Sequence, residues 1–139
     1  MANVVYNQFK TNLMSGNINL GTANIMVMLV SGSYVPNIDT HANTGSITAE
    51  VSSPNYSRGG KKIPNTSVLL DTVDDEGVLS GSPVVFSGLT CSPGWAVVYV
   101  SGASVATNYL VLAYDLGTQT ITNADFTINW NSEGIWNLT

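Results

Sequence analysis

Charge is what this sequence has least of. Asp, Glu, Lys and Arg make up 9% of its 139 residues, against about 25% in an average soluble domain. Ser, Thr, Asn and Gly stand in their place. The same composition excludes disorder, because a disordered chain combines high charge with low hydrophobicity, and 44% of these residues are hydrophobic. Four basic residues face nine acidic ones, for a net charge of −5. Neutralising a nucleic-acid backbone or adhering to an anionic membrane needs a basic face, so neither partner is expected. A single cysteine, Cys91, excludes an internal disulfide and a Cys-rich zinc site. His41 is the only imidazole for any Ser/His/Asp or Cys/His arrangement. No stretch approaches the roughly 18 apolar residues of a membrane helix. The start, MANVVYNQFK, lacks the charged opening and apolar run of a signal peptide, so synthesis in a cytoplasm without an export address is expected.

What the sequence does have is β texture. Its length favours one domain over residues 1–139, with a core that needs no cross-link. The one helix candidate covers about residues 3–15. There Val5, Phe9 and Leu13 recur every four positions, Tyr6 and Met14 flank that stripe, Asn7, Lys10, Thr11 and Asn12 fill the other side, and Gly16 supplies the stop. Ile25–Val30 is apolar at every position, the pattern of a strand covered on both faces and the best candidate for a central strand. Trp95–Val100 and Tyr109–Tyr114 read as a hairpin at the heart of the sheet. Val68–Asp71 and Val78–Leu79 read as another around Asp74-Asp75-Glu76-Gly77, with Gly77 free to take positive φ. Pro83–Phe86 is a further short strand. Phe126–Trp130 alternates, with Phe126, Ile128 and Trp130 inward, and Ile135, Trp136 and Leu138 return an apolar tail to the core. Short strands at this spacing, without helices between them, predict a mainly β fold: an antiparallel, jelly-roll-like β-sandwich with one N-terminal α-helix. The polar stretch from about 31 to 65 is long for a connection inside a small domain, and part of it is expected to form an extended loop or arm.

Chemistry-bearing residues are few and scattered. His41 closes the polar loop Pro36–His41 and no Gly-x-Ser-x-Gly elbow exists, so it reads as a loop histidine making local hydrogen bonds. Cys91, with no neighbour that would activate its thiol, reads as a small filler. Asp71, Asp74, Asp75 and Glu76 are the one concentration of carboxylates. Such oxygens hold Ca²⁺ at the right spacing, but the run lacks the EF-hand pattern and reads as a solvated hairpin tip. Trp95, Trp130 and Trp136 have the faces that stack on sugars, yet each lies in a β run where core packing is the default. No catalytic residue, metal ligand or cofactor site is predicted, and the chain is not read as an enzyme. Arg58, Lys61 and Lys62 gather three of the four basic residues into one spot.

Several segments together resemble a family of small structural proteins of tailed bacteriophages. They are Met1–Asn7, Ile25–Val30 running into Ser33–His41, Glu50–Tyr56 with Gly59-Gly60-Lys61, Asp125–Trp130, and Gly134–Leu138. The sequence departs from commoner members at Ala42–Gly45, where they carry more charge. The resemblance implies a capsid decoration, or cement, protein of the virion, one that binds the outside of the expanded major capsid lattice and stabilises it against packaged DNA. A tail, neck or baseplate component, or a host-binding fibre module, is the alternative. Closed cyclic symmetry is the usual solution for such assemblies, and a homotrimer matches local threefold positions between capsomers. Low charge suits a surface that packs against neighbours, where each buried charge needs a partner. The contact residues expected are Ala2, Asn3, Val4 and Tyr6 at the N-terminus, Tyr34, Asn37, Asp39 and His41 in the polar loop, and the basic spot Arg58, Lys61 and Lys62.

Overall fold

The structure, a computed structural model, describes residues 3–117 and 119–139. In chain order its elements are β1 (Asn3–Val5), α1 (Asn7–Met14), β2 (Ile25–Ser31), β3 (Lys61–Lys62), β4 (Ser67–Asp71), β5 (Glu76–Ser80), β6 (Val84–Cys91), β7 (Pro93–Val100), β8 (Tyr109–Asp115), β9 (Ile121–Ile128) and β10 (Trp136–Leu138). Every described pairing is antiparallel. The strands form three sheets, a five-stranded one ordered β1-β8-β7-β2-β3, a three-stranded one ordered β10-β5-β4, and the pair β6-β9. The fold is thus mainly β with one helix, as the strand spacing predicts.

The five-stranded sheet carries most of the aliphatic mass. In β2, Ile25, Val27, Met28, Leu29 and Val30 are buried, so both faces of the strand are covered. Ala96–Val100 of β7 and Leu110–Ala113 of β8 are likewise buried throughout. Val98 pairs with Val27 on one side and Leu112 on the other, so three aliphatic residues lie abreast across the sheet. Each such side chain contributes about 1.5–3 kcal/mol when fully buried. β7 is the middle strand, with its hairpin partner β8 on one side and β2 on the other, so all three are internal strands and the short β1 and β3 form the edges.

The N-terminal helix is shorter than its sequence stripe predicts. Val5 belongs to β1, where it pairs with Leu112, and Tyr6 donates its N–H to the Val111 carbonyl. An unpaired β8 edge beside two β-branched residues, Val4 and Val5, wins over one more helical turn. The buried face also turns: Phe9 and Asn12 point inward, and Met14 is 89% exposed. Asn12 earns its place by closing the helix, since its carbonyl accepts the N–H groups of Asn17 and Ile18. Trp136 packs edge-on against Phe9, with ring centres 5.0 Å apart.

Residues 31–65 are a long loop, but they lie along the body and do not extend as an arm. Tyr34, Ile47 and Ile63 are buried in the common core. Val51 donates its N–H to Leu29 and Ser31 donates to Ala49, so the middle of the loop runs beside β2. Gly60, at φ +77°, completes the return, because a Cβ there would collide with the backbone of Val27 and Met28. The second expected hairpin forms as β4 and β5, with positive φ at Asp75 and not at Gly77, which pairs with Leu70 inside the ladder. Further along, β6 runs on past Phe86 to Cys91, and β9 begins earlier than the expected Phe126–Trp130 run but ends at Ile128, so Trp130 follows the strand. Trp95, Trp130 and Trp136 all pack against the core from partly buried positions, and Ile135 is buried while Leu138, of the same tail, is exposed.

Candidate contact surface

The polar loop and the N-terminus meet. Tyr6 and Tyr34 share a hydroxyl–hydroxyl hydrogen bond of 2.7 Å, and the Tyr34 hydroxyl lies 2.8 Å from Nδ1 of His41. Nδ1 also accepts the Asn37 N–H at 3.2 Å, which requires a lone pair on that nitrogen and places the proton of the neutral ring on Nε2. The rings of Tyr34 and His41 stack 5.6 Å apart. Asn7 clamps the loop tip, donating its side-chain N–H to Asp39 at 2.6 Å and its backbone N–H to the Ile38 carbonyl. Asn37 folds the turn on itself by accepting the N–H groups of Asp39 and Thr40. Burial raises the Tyr6 hydroxyl pKa, and its bond to Tyr34 raises it further; burial also raises that of Tyr34. Both phenols stay neutral donors at physiological pH. The histidine therefore holds a loop, as a local hydrogen-bonding residue should.

Of the residues predicted for contact, the fold gathers Tyr6, Tyr34, Asn37, Asp39 and His41 into this one anchor. Asn3 and Val4 run in β1, paired with Tyr114 and Ala113. Ala2 lies outside the described residues. The anchor is held by several hydrogen bonds, and its exposed surface mixes Asn37, Asp39 and Thr40 with two apolar residues, Val35, 78% exposed, and Ile38.

The basic spot is elsewhere and is not uniform. Lys61 and Lys62 form β3, the opposite edge of the sheet from β1. At one strand spacing of 4.7–4.9 Å, the two edges are about 19 Å apart. Lys61 is committed internally, donating to the Val85 carbonyl at 2.7 Å and lying over the Phe86 ring. Lys62 is exposed, and the Arg58 side chain, 87% exposed, stands 3.9 Å from Glu50. Lys61 is exposed too, but its ammonium is held against β6, which leaves Arg58 and Lys62 as the more available basic groups of this spot.

Sequence reasoning missed Glu50. Its carboxylate accepts the Tyr56 hydroxyl at 2.8 Å and the Gly59 N–H at 2.6 Å, while Tyr56 in turn accepts the Leu29 N–H and Tyr99 donates to the Gly59 carbonyl. Burial is the main cause that raises the pKa of both Tyr56 and Tyr99. This network fixes the loop that presents Arg58. The partners of the Glu50 carboxylate, Tyr56, Arg58 and Gly59, lie six to nine positions on, but no periodic pattern marks them in the sequence because the loop that brings them together has no regular repeat.

The carboxylates gather differently from the sequence run. Asp71, Asp74, Glu76 and Glu133 bring oxygens within 4.8 Å of one another, with Glu133 arriving from the segment before β10. Two of the four already serve the fold: Asp71 accepts the N–H groups of Val73 and Asp74 on one oxygen, and both oxygens of Glu76 accept from Asn137. Cys91 is half-buried and burial raises its thiol pKa, so it is the inert filler its surroundings predict. Among the described residues, no helix is long and apolar enough to cross a membrane. No family model, no curated protein and no solved structure matches the chain.

Proposed function

We propose that the chain is a bacteriophage capsid decoration protein, a homotrimeric clamp on the outside of the expanded major capsid lattice. One observation carries the reading: two tethered, exposed groups stand apart on the molecule, and the buried strands β8, β7 and β2 lie between the edge strands β1 and β3. The loop that carries Val35 and Ile38 is tied to Tyr6 and Asn7, just after β1, while Lys62 lies in β3 with Arg58 shortly before it. A clamp needs this spacing, since it must touch two neighbours at once and transmit load between them without bending. In this reading the sheets pack as a jelly-roll-like sandwich with its loops turned to the lattice. Binding is confined to the assembled lattice, so it stabilises that lattice by mass action, and each trimer multiplies weak contacts by avidity. Low surface charge keeps the desolvation cost of those contacts small.

Antibody labelling of purified particles tests the location. Even labelling over heads at high copy supports the clamp. Labelling confined to the tail, neck or fibres, or absence from particles, overturns it. The contact edge is tested separately by Arg58→Glu with Lys62→Glu, which is expected to abolish capsid binding and leave the circular dichroism spectrum unchanged. Lys61 is unsuited to that test because its substitution breaks internal contacts.

A further inference from the structure

The clamp leaves the β4–β5 hairpin without a role, and four exposed aliphatic residues, Val68, Leu69, Leu70 and Val73, cluster along it. β4 is the outer strand of its sheet, pairing with β5 alone. Val68 is 51% exposed, Leu69 52% and Leu70 79%. Successive residues of a strand point to opposite faces, so both faces of β4 are open as well as its edge. Val73, in the turn that follows, is 88% exposed. Edge strands are ordinarily protected by lysine, proline, a bulge or a cover. Residues 67–71 contain no lysine or proline and pair with β5 in unbroken register.

We infer that β4 is a self-association edge, pairing antiparallel with β4 of a second copy about a two-fold axis at Leu69. The sequence Ser67-Val68-Leu69-Leu70-Asp71 is symmetric in polarity about its centre. An antiparallel self-pair sets Leu69 against Leu69, Val68 against Leu70 and Ser67 against Asp71, so every apolar residue meets an apolar one. Charge selects the same orientation. Asp71, Asp74, Asp75 and Glu76 hold four of the nine acidic residues, and a parallel pair would bring the two acidic turns side by side. The antiparallel pair sends them to opposite ends. A second copy of this chain is the occupant because the strand is complementary to itself in polarity and this register keeps the two acidic turns apart. This inference goes beyond the clamp and needs nothing from it, since it concerns the purified protein alone.

Sedimentation velocity on the purified chain and on Leu69→Lys tests it. The variant is expected to halve the associated mass while circular dichroism stays that of the parent. Leu70→Lys, at the more exposed neighbour, serves if Leu69→Lys fails to fold. Register is read in a Cys91→Ser background: Leu69→Cys alone should form a disulfide-linked dimer, because directly opposed Cβ atoms lie about 4.5–5.5 Å apart, and Ser67→Cys alone should not. A monomeric parent, a mass unchanged by the lysine variant, or equal cross-linking of the two cysteine variants overturns the inference. Particle labelling has no bearing on any of these results, so the clamp and the edge fail independently.

Discussion

β2 and β4 are both short aliphatic strands, and the fold treats them in opposite ways. β2 is paired on both sides and covered on both faces, and Leu29 at its centre has no solvent exposure. β4 is paired on one side only, and its central Leu69 is half exposed. Composition does not separate them; their neighbours do. The covering of β2 comes from distant single residues, Tyr34, Ile47 and Ile63 of the long loop, which join the common core. The hairpin has no such loop. β2 is finished interior, whereas β4 leaves its apolar side chains in solvent while its partner β5 is largely buried.

The largest effect expected of any condition falls on the sheet that holds β2. Five tyrosines with raised pKa values, Tyr6, Tyr34, Tyr56, Tyr99 and Tyr114, lie in or against the five-stranded sheet, and burial leads the causes at each. Tyr114, whose hydroxyl donates to the Ile135 carbonyl, is pushed up to about 12. An unfolded tyrosine ionises near 10, so between about pH 10 and 12 the unfolded chain releases protons that the folded chain keeps. Stability from these groups is complete below about pH 10 and is lost as pH rises through the folded values. The phenolate absorbance of these five tyrosines should therefore rise late, together with loss of near-ultraviolet circular dichroism. Gradual ionisation of these five near pH 10 in a still-folded protein would break the contrast, because the sheet would then be open to water.

Substitution in β2 comes next. Leu29→Ala leaves a cavity in a strand with no room to collapse and should cost about 2–5 kcal/mol in chemical denaturation. Gly60→Ala should follow at about 1–3 kcal/mol for the left-handed backbone alone, with the collision against Val27 adding to it. Its signature is local: hydrogen exchange should quicken in β3 and at Val27 before it does in β7 or β8.

The contrast also explains what the sequence reveals and what it conceals. Ile25–Val30 and the two strands of the central hairpin are legible because both of their faces are apolar, and Phe126–Ile128 because its faces alternate. The helix is misphased since Val5 satisfies a helical stripe and a strand equally well, and only the free edge of β8 decides. The long loop is illegible because its anchors are isolated residues without periodicity: Glu50 ties the loop to itself through Tyr56 and Gly59, and Tyr56 ties it to Leu29 of β2. His41 reads correctly as a local hydrogen-bonding residue, for Asn37 and Tyr34 are within seven positions. The link from Tyr34 to Tyr6 spans 28 positions and leaves no sequence mark.

The smallest expected effect is the sharpest test of the comparison. Leu70→Ala removes as many carbon atoms as Leu29→Ala, but from a side chain 79% exposed. At low protein concentration, where copies stand apart, it should change stability by no more than about 0.5 kcal/mol. At high concentration the outcome should differ, since burial against a second copy would make the same side chain part of an interior. The denaturation midpoint of the parent should then rise with protein concentration, and that of Leu70→Ala should rise less. A parent midpoint independent of concentration, with Leu70→Ala identical to it throughout, would mean that the hairpin is exposed apolar surface and nothing more, and the contrast between the two strands would be one of packing alone.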